Sequence, residues 1–246
     1  MGADSIHVPI PFRILALVQE RNRLFEYPLE RLAGEIREIG FHCDACGKCC
    51  IRARKGHVFL LDRDVAAIQS IDPNAIEPAP DPEFCDQTGT FYVSGYTLRT
   101  KGDASGACWF LENDRCRIYD RRVSVCRIYP YVLHREPDEA GIVDWQHIAG
   151  FGQHGVYNQQ ITAPECLAIA REIKEYENAI LTREISFLEF MQDYFTTHRL
   201  RHVEEEYNQR MWRFSRGEPV IVKVYLDGLL EEHTCIQTGP SHSSLS

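Results

Sequence analysis

The tightest constraint on this chain is the run Cys43-Asp44-Ala45-Cys46-Gly47-Lys48-Cys49-Cys50, in which two C-x2-C steps follow one another and a fourth cysteine sits adjacent. A C-x2-C step lets one tight turn place two sulfurs on the same side, where they grip one metal centre while backbone N–H groups point at the thiolates. Gly47 suits such a turn. The run alone predicts a metal site.

Zinc knuckles combine one such pair with a second pair from elsewhere, whereas C-x2-C-x2-C is the spacing that supplies three corners of a bacterial iron–sulfur cluster. Iron is therefore expected before zinc. The bacterial pattern is incomplete, because no cysteine follows three residues on and none in the chain precedes a proline. Cys49 and Cys50 are neighbours whose side chains tend to diverge, which points to two centres or a polynuclear one. A second group, Cys108, Cys116 and Cys126, is expected on neighbouring short strands and turns within reach of the first. With Cys166 after Pro164, the candidate ligands are Cys43, Cys46, Cys49, Cys50, Cys108, Cys116, Cys126 and Cys166, enough for two sets of four.

Without metal, such a cluster would oxidise or resist ionisation, since like charges a few ångströms apart cost on the order of a few kcal/mol per pair. Basic residues gather around the thiols. Lys48, Arg52, Arg54 and Lys55 outweigh Asp44 near the first run; Arg99, Lys101, Arg115, Arg117, Arg121, Arg122, Arg127 and Arg135 outweigh Asp103, Glu112, Asp114 and Asp120 near the second. That bias favours thiolates and an anionic cluster core.

Composition narrows the rest. The chain has 246 residues, 44% hydrophobic and 26% charged, which excludes disordered, collagen-like and coiled-coil classes. Net charge is −9, so a nucleic-acid partner is not expected. There is no apolar run of membrane-spanning length, and Ile6 to Val18 lacks a basic leader, so the expected compartment is the cytoplasm without a membrane anchor. Reduced thiols there bind metal more often than they pair.

The patterning predicts an α+β fold: a small, irregular, metal-stapled, β-rich cysteine core flanked by N-terminal and C-terminal helices. Residues 1–40 read as one or two amphipathic helices. Residues 41–160 read as the cysteine region, with short β-prone runs at His57 to Leu61, Thr90 to Leu98, Ala107 to Leu111, Arg115 to Tyr119, Tyr129 to His134 and Ile142 to Ile148. Asp62 is the expected N-cap of a helix to Ile71, followed by a proline-rich loop from Asp72 to Pro82. Residues 161–216 read as three helices packed on that region, and 217–246 as one strand, Pro219 to Leu226, and a polar tail from Thr238.

Cys85 and Cys235 lack motif partners and read as incidental thiols. His42 and His57 flank the first run, and the simpler reading for each is a hydrogen-bonding rather than a ligand role. The stretch His147, Gly150, Gly152, His154, Gly155 reads as turns that could wall a small pocket. No P-loop, dinucleotide fingerprint, zinc-protease helix or nucleophile elbow is present, and the C-x3-C-x2-C of radical S-adenosylmethionine enzymes is absent.

Four segments together resemble the YkgJ-type cysteine-cluster proteins, a family with a zinc- or iron-chelating domain: Cys-Gly-x-Cys-Cys at Cys46 to Cys50, Cys-x-Phe-Leu at Cys108 to Leu111, Cys-x-Ile-Tyr at Cys116 to Tyr119 and Cys-Arg-x-Tyr-Pro at Cys126 to Pro130. The resemblance covers roughly Phe41 to Cys166. Where the family tends to have Arg-Pro before the last motif, this chain has Arg122-Val123, a change expected to alter a local turn rather than the ligands. The resemblance implies a metal or iron–sulfur centre, [4Fe–4S] or zinc, and no agreed reaction. A relative that methylates lysines of flagellin implies an enzyme only by analogy.

Three functions follow as expectations: a metal-binding protein with a structural, electron-transfer or metal-handling role and a redox or protein partner; a cluster-containing enzyme with a polar pocket beside the centre; or an assembly factor docking through Glu165 to Phe214.

Overall fold

The computed structural model describes residues 8–52, 56–103, 105–131, 133–137, 143–147 and 154–237, the two segments 133–137 and 143–147 as backbone only. The expected N-terminal helices are two, α1 (Ile10–Glu26) and α2 (Leu29–Ile39), separated at Tyr27-Pro28, where Pro28 with φ −65° caps α2. Leu24, Leu32 and Ile36 are fully buried, and each such side chain contributes about 1.5–3 kcal/mol. Gly40 ends α2 in the left-handed conformation, its N–H donating to Ile36 O at 2.9 Å.

Helix α3 (Asp62–Ile71) starts where expected, but Asp62 lies inside it and Leu61 is the cap. The capping carboxylate is Asp64, one turn in, which accepts the Leu61 N–H at 3.3 Å. The proline-rich stretch holds a 3-10 turn, Pro73–Ala75, and strand β1 (Ile76–Pro78). Strands β2 (Phe84–Cys85), β3 (Phe91–Ser94) and β4 (Tyr96–Leu98) follow. The Thr90 to Leu98 run is two strands because Gly95, at φ 77°, turns the chain between them. Next come the hairpin β5 (Leu111–Glu112) and β6 (Arg115–Cys116), the short helix α4 (Ser124–Ile128), and the hairpin β7 (Leu133–Pro137) and β8 (Val143–His147). Cys126 thus rides on a helix where a strand or turn was expected, and the Tyr129 to His134 run becomes strand only from Leu133.

The C-terminal part has two helices, not three: α5 (Ala163–His198), 36 residues long, and α6 (Glu204–Ser215). No glycine or proline interrupts the chain from Glu165 to His198, so nothing breaks α5. Its start is a capping box, with Thr162 Oγ1 and N–H both donating to Glu165. The single expected strand is a hairpin, β9 (Val220–Leu226) and β10 (Leu229–Cys235), joined by Asp227-Gly228 at φ 47° and 80°. A two-residue turn with both φ positive matches strand twist, and Asp-Gly favours it. The tail from Thr238 lies outside the described residues.

The largest sheet runs β10-β9-β3-β2, with β3 parallel to β9 and the other pairs antiparallel. It covers a core of Phe91, Val93, Val222 and Val224 on one side, against which Cys108, Cys116 and Cys126 pack at the rim. Helix α5 binds two further cores: Ala170, Ile173 and Leu181 pack with α1 and α2, while Phe187, Leu188 and Met191 pack on Phe84, Tyr92 and Tyr225 of the sheet. The fold is α+β, with helices at both ends and the cysteine region in the middle.

Candidate metal centre

The first cysteine run folds as its spacing requires. Gly47 has φ 69°, and the 3-10 turn Lys48–Cys50 follows, with the Cys50 N–H donating to Gly47 O at 2.9 Å. A Cβ at Gly47 would stand 2.8 Å from both Asp114 O and Leu111 Cδ1, so the β5–β6 hairpin is seated directly on the turn. Asp44 Oδ1 accepts the Cys46 N–H at 3.2 Å, and the Cys46 thiol beside it holds the Asp44 carboxyl below its ordinary range.

Backbone pairing brings the second group to the first. The Cys108 N–H donates to Cys50 O at 2.8 Å and the Arg52 N–H to Gly106 O at 3.0 Å, with Ile51 opposite Ala107. Cys116 stands on β6 opposite Leu111; its hairpin turns through Asn113 and Asp114, both at positive φ. Cys126 is carried by α4, whose first residue Ser124 is fastened to Asp64 of α3. Val123 has φ −62°, an angle that a proline ring would also fix.

The thiols form one electrostatic neighbourhood centred on Cys49. Cys50 is pushed up first by its hydrogen bond with Cys49, then by burial, with Cys108 and Cys126 adding to the shift. Burial raises Cys126, and Cys108, Cys49 and Cys116 act in the same direction. Burial also raises Cys108, with Cys116 and Cys49 behind it, and Cys116, with Cys49 and Cys43 behind it. Cys43 hydrogen-bonds the Tyr119 hydroxyl, while Tyr129 is raised by burial and then by Cys49, Cys46 and Cys43. Raised this way, Cys50, Cys108, Cys116 and Cys126 hold their protons more firmly than free thiols until a cation replaces them. Cys49 and Cys50 do not diverge as expected; the Cys50 thiol shares a hydrogen bond with its neighbour.

All ten cysteines are free thiols, and among the described residues no group of three or more His, Cys, Asp or Glu side chains is set to hold a single ion. The donors are nevertheless of the kind that zinc and iron–sulfur centres use. Part of the expected basic bias bears on them: Arg122 favours the thiolates of Cys116 and Cys126, and Lys101 that of Cys108. Other basic side chains are committed elsewhere, Arg117 to Glu112 at 3.1 Å and Arg127 to Glu172 at 2.6 Å. Arg54 and Lys55 lie outside the described residues, as does the side chain of Arg135.

Cys166 packs in the core between α5 and the N-terminal helices, whereas Cys108, Cys116 and Cys126 pack on the sheet core. Cys166 is 1% exposed, and its thiol is raised by burial with Arg37 and Glu165 as its charged neighbours. Cys85 is buried in the sheet core, pushed up to about 12 by burial, and Cys235 ends β10. His42 pairs through its backbone with Val156. His57 Nε2 accepts from Arg52 at 2.7 Å, and burial with that guanidinium pushes its pKa down to about 4. Arg52 and His57 line a cavity of about 20 Å³ with Cys49, Cys50 and Cys108. His154 stacks on Tyr129 at 5.3 Å between ring centroids, and Gly155 lies so close to Phe41 that a Cβ would overlap it. Gly150, Gly152 and the His147 side chain lie outside the described residues. Sequence reasoning passed over Tyr119 and Tyr129 as contacts of the thiols, although each sits three residues after a cysteine in its motif.

Among the described residues no helix is long and apolar enough to cross a membrane. No curated protein and no solved structure matches the chain. Residues 42–147 match the family model CxxCxxCC, described as "Putative zinc- or iron-chelating domain", a stretch that runs from before Cys43 to beyond Cys126 and stops short of Cys166. Over those residues the chain is similar to that cysteine-cluster family.

Proposed function

We propose that the central region holds an iron–sulfur centre, [4Fe–4S] in preference to zinc, with ligands drawn from Cys43, Cys46, Cys49, Cys50, Cys108, Cys116 and Cys126. The observation that carries this reading is the position of Cys49, whose sulfur bears on its neighbour Cys50 and on three thiols from three further chain segments. Several thiols gathered without closing on one point suit a polynuclear centre, where each iron takes one cysteine, better than a tetrahedral ion that needs four sulfurs at about 2.3 Å. When bound, the group would supply one-electron exchange and a covalent staple for a region of short strands. The protein's own part is to hold the thiols at the rim of the sheet core, to oppose their charge with Arg122 and Lys101, and to limit access.

The cavity beside Cys49, Cys50 and Cys108, about 20 Å³, has room for roughly one water. That scale supports a structural or electron-transferring role over a cluster enzyme, which needs a substrate pocket at its centre. The docking reading has less support: between residues 165 and 214, Trp212 stands out as the exposed large hydrophobic side chain among those described, and Arg216 covers its ring at 4.5 Å.

The test is metal and acid-labile sulfide content with a visible spectrum on protein purified without oxygen. Matched iron and sulfide with a brown chromophore are expected. Colourless protein with stoichiometric zinc and no sulfide would overturn the reading.

A further inference from the structure

The 3-10 turn Tyr119–Arg121 follows closely on β6 and ends at Arg122, with the buried side chains of Ile118 and Val123 anchoring it on either side. The Arg121 N–H closes the turn on Ile118 O at 2.8 Å. Two half-buried side chains stand on it, Tyr119 and Arg122. The Tyr119 hydroxyl reaches the Cys43 sulfur, so the turn after Cys116 is hydrogen-bonded to the first cysteine run. Arg122 lies against the same ring, its Cζ 3.9 Å from the centroid, and its Nε donates to Tyr119 O at 2.9 Å. One contact to the ring and one to the backbone of the same residue hold the guanidinium in place.

The charge of Arg122 is directed at sulfur rather than at a carboxylate. Arg117 and Arg127 nearby are paired with Glu112 and Glu172, whereas among the described residues no carboxylate pairs with Arg122. Its field instead favours the thiolates of Cys116 and Cys126. A cation over a phenol ring draws electron density from it and makes the hydroxyl a stronger donor. A hydroxyl hydrogen on one ligand sulfur and a positive charge beside two others act in the same direction, since both stabilise negative charge on a metal centre. Three candidate ligands, Cys43, Cys116 and Cys126, thus come under the influence of one turn.

We propose that Tyr119 and Arg122 act as one positioning unit on the metal centre: Tyr119 donates its hydroxyl hydrogen to the Cys43 sulfur, while Arg122 holds that ring and sets its charge beside Cys116 and Cys126. Together they set how firmly the centre keeps its metal and how readily an iron centre takes up an electron. This rests on the reading of these thiols as metal ligands and adds the residues that regulate them. The sign follows from charge. Thiolate ligation and reduction both place negative charge at the sulfurs, so losing the hydroxyl or the guanidinium weakens retention and lowers the reduction potential. The ring by itself does neither.

The test uses the full-length protein purified without oxygen, with the metal it carries, and the variants Tyr119→Phe, Arg122→Gln and Arg122→Lys. Tyr119→Phe keeps the ring under the guanidinium and removes only the donor. It is expected to load the same metal, to release it to EDTA about tenfold faster, and, with iron, to show a lower reduction potential. If the metal is zinc, exchange for cobalt(II) supplies the readout instead, and the sulfur-to-cobalt band is expected to move to longer wavelength. Arg122→Gln is expected to act in the same direction, and Arg122→Lys, which keeps the charge, to recover the native potential or band. If Tyr119→Phe does not fold, the two Arg122 variants decide. A loaded Tyr119→Phe with native release rate and native potential or band would overturn the proposal, as would Arg122→Lys behaving like Arg122→Gln. Native protein that takes up neither iron nor zinc would overturn the metal reading as well.

Discussion

The Asp64 carboxylate of α3 accepts both the backbone N–H of Ser124, at 3.2 Å, and its hydroxyl, at 3.0 Å. This bond set joins the helix that opens the sheet core to the short helix that carries Cys126. Asp64 is 5% exposed, and the same carboxylate caps α3 through Leu61. Replacing it with alanine leaves three buried donors without an acceptor. Asp64→Ala is expected to cost about 2–3 kcal/mol, read as a lower urea midpoint at unchanged slope, and to reduce metal content in step. A loss under about 0.5 kcal/mol would mean that water replaces the carboxylate.

Gly47 is irreplaceable for two independent reasons, its φ of 69° and the 2.8 Å approach of Asp114 O to the place a Cβ would occupy. Gly47→Ala forces the hairpin off the turn, because a backbone oxygen has no flexible end to yield. The left-handed conformation adds about 1–2 kcal/mol. Metal stoichiometry in the purified variant should fall to less than half. Full loading would show that the hairpin is free to shift.

Val123 makes the opposite case. Its φ of −62° and the extended conformation of Arg122, φ −57° and ψ 142°, are what a proline and the residue before it require. Val123→Pro is expected to fold, to hold the same metal, and to change stability by less than about 1 kcal/mol. Thermal melts of the two proteins, side by side, decide it.

Cys49 and Cys166 should separate cleanly. Cys49→Ser removes the sulfur on which four others bear, so iron or zinc content is expected to collapse along with the melting transition of the central region. Cys166→Ser sits in an apolar helical core away from the other thiols and should keep its metal, losing only about 1 kcal/mol of packing. Metal analysis of both variants is the measurement. Loss of metal in Cys166→Ser would return that residue to the ligand set.

Acid sensitivity has a local source at Asp86. Burial would raise this carboxyl, yet hydrogen bonds from Thr88, Tyr92 and Thr90, at 2.7 to 3.2 Å, overcome it and leave the group below its ordinary value. A carboxyl depressed in the folded state stabilises the protein above its unfolded value and loses that contribution as pH falls through the folded one. The native protein should therefore be more stable than Asp86→Asn at pH 7, with the gap closing below about pH 4. A gap that stays constant with pH would assign the effect to shape rather than charge.

The sequence made the cysteine turn legible because C-x2-C and Gly47 are local: their geometry depends on eight consecutive residues. Helices α1, α2 and α3 were legible from apolar spacing, and Asp227-Gly228 carries a hairpin signature that reveals β10 once both flanks are read as strands. The extent of α5 was obscured because changes of apolar face along one helix resemble helix ends; its face changes because it leaves α1 and α2 for the sheet. The convergence of Cys108, Cys116 and Cys126 on Cys49 depends on pairings such as Cys108 with Cys50, which no local pattern encodes. The placement of Cys166 in the helical core is also tertiary, set by how α5 docks.

The hydrogen bond from Cys108 to Cys50 O also divides the thiols by how they arrive. Cys43, Cys46, Cys49 and Cys50 lie within one short turn and meet without closing any long loop. Cys108 is roughly sixty residues further on, and bringing it back costs on the order of 3–4 kcal/mol of chain entropy. A nascent or partly unfolded chain therefore presents the first four as a ready claw while the other three are still dispersed. On the proposed ligand set, metal capture would begin at the claw, and arrival of the later cysteines would complete the site and fasten the fold around it.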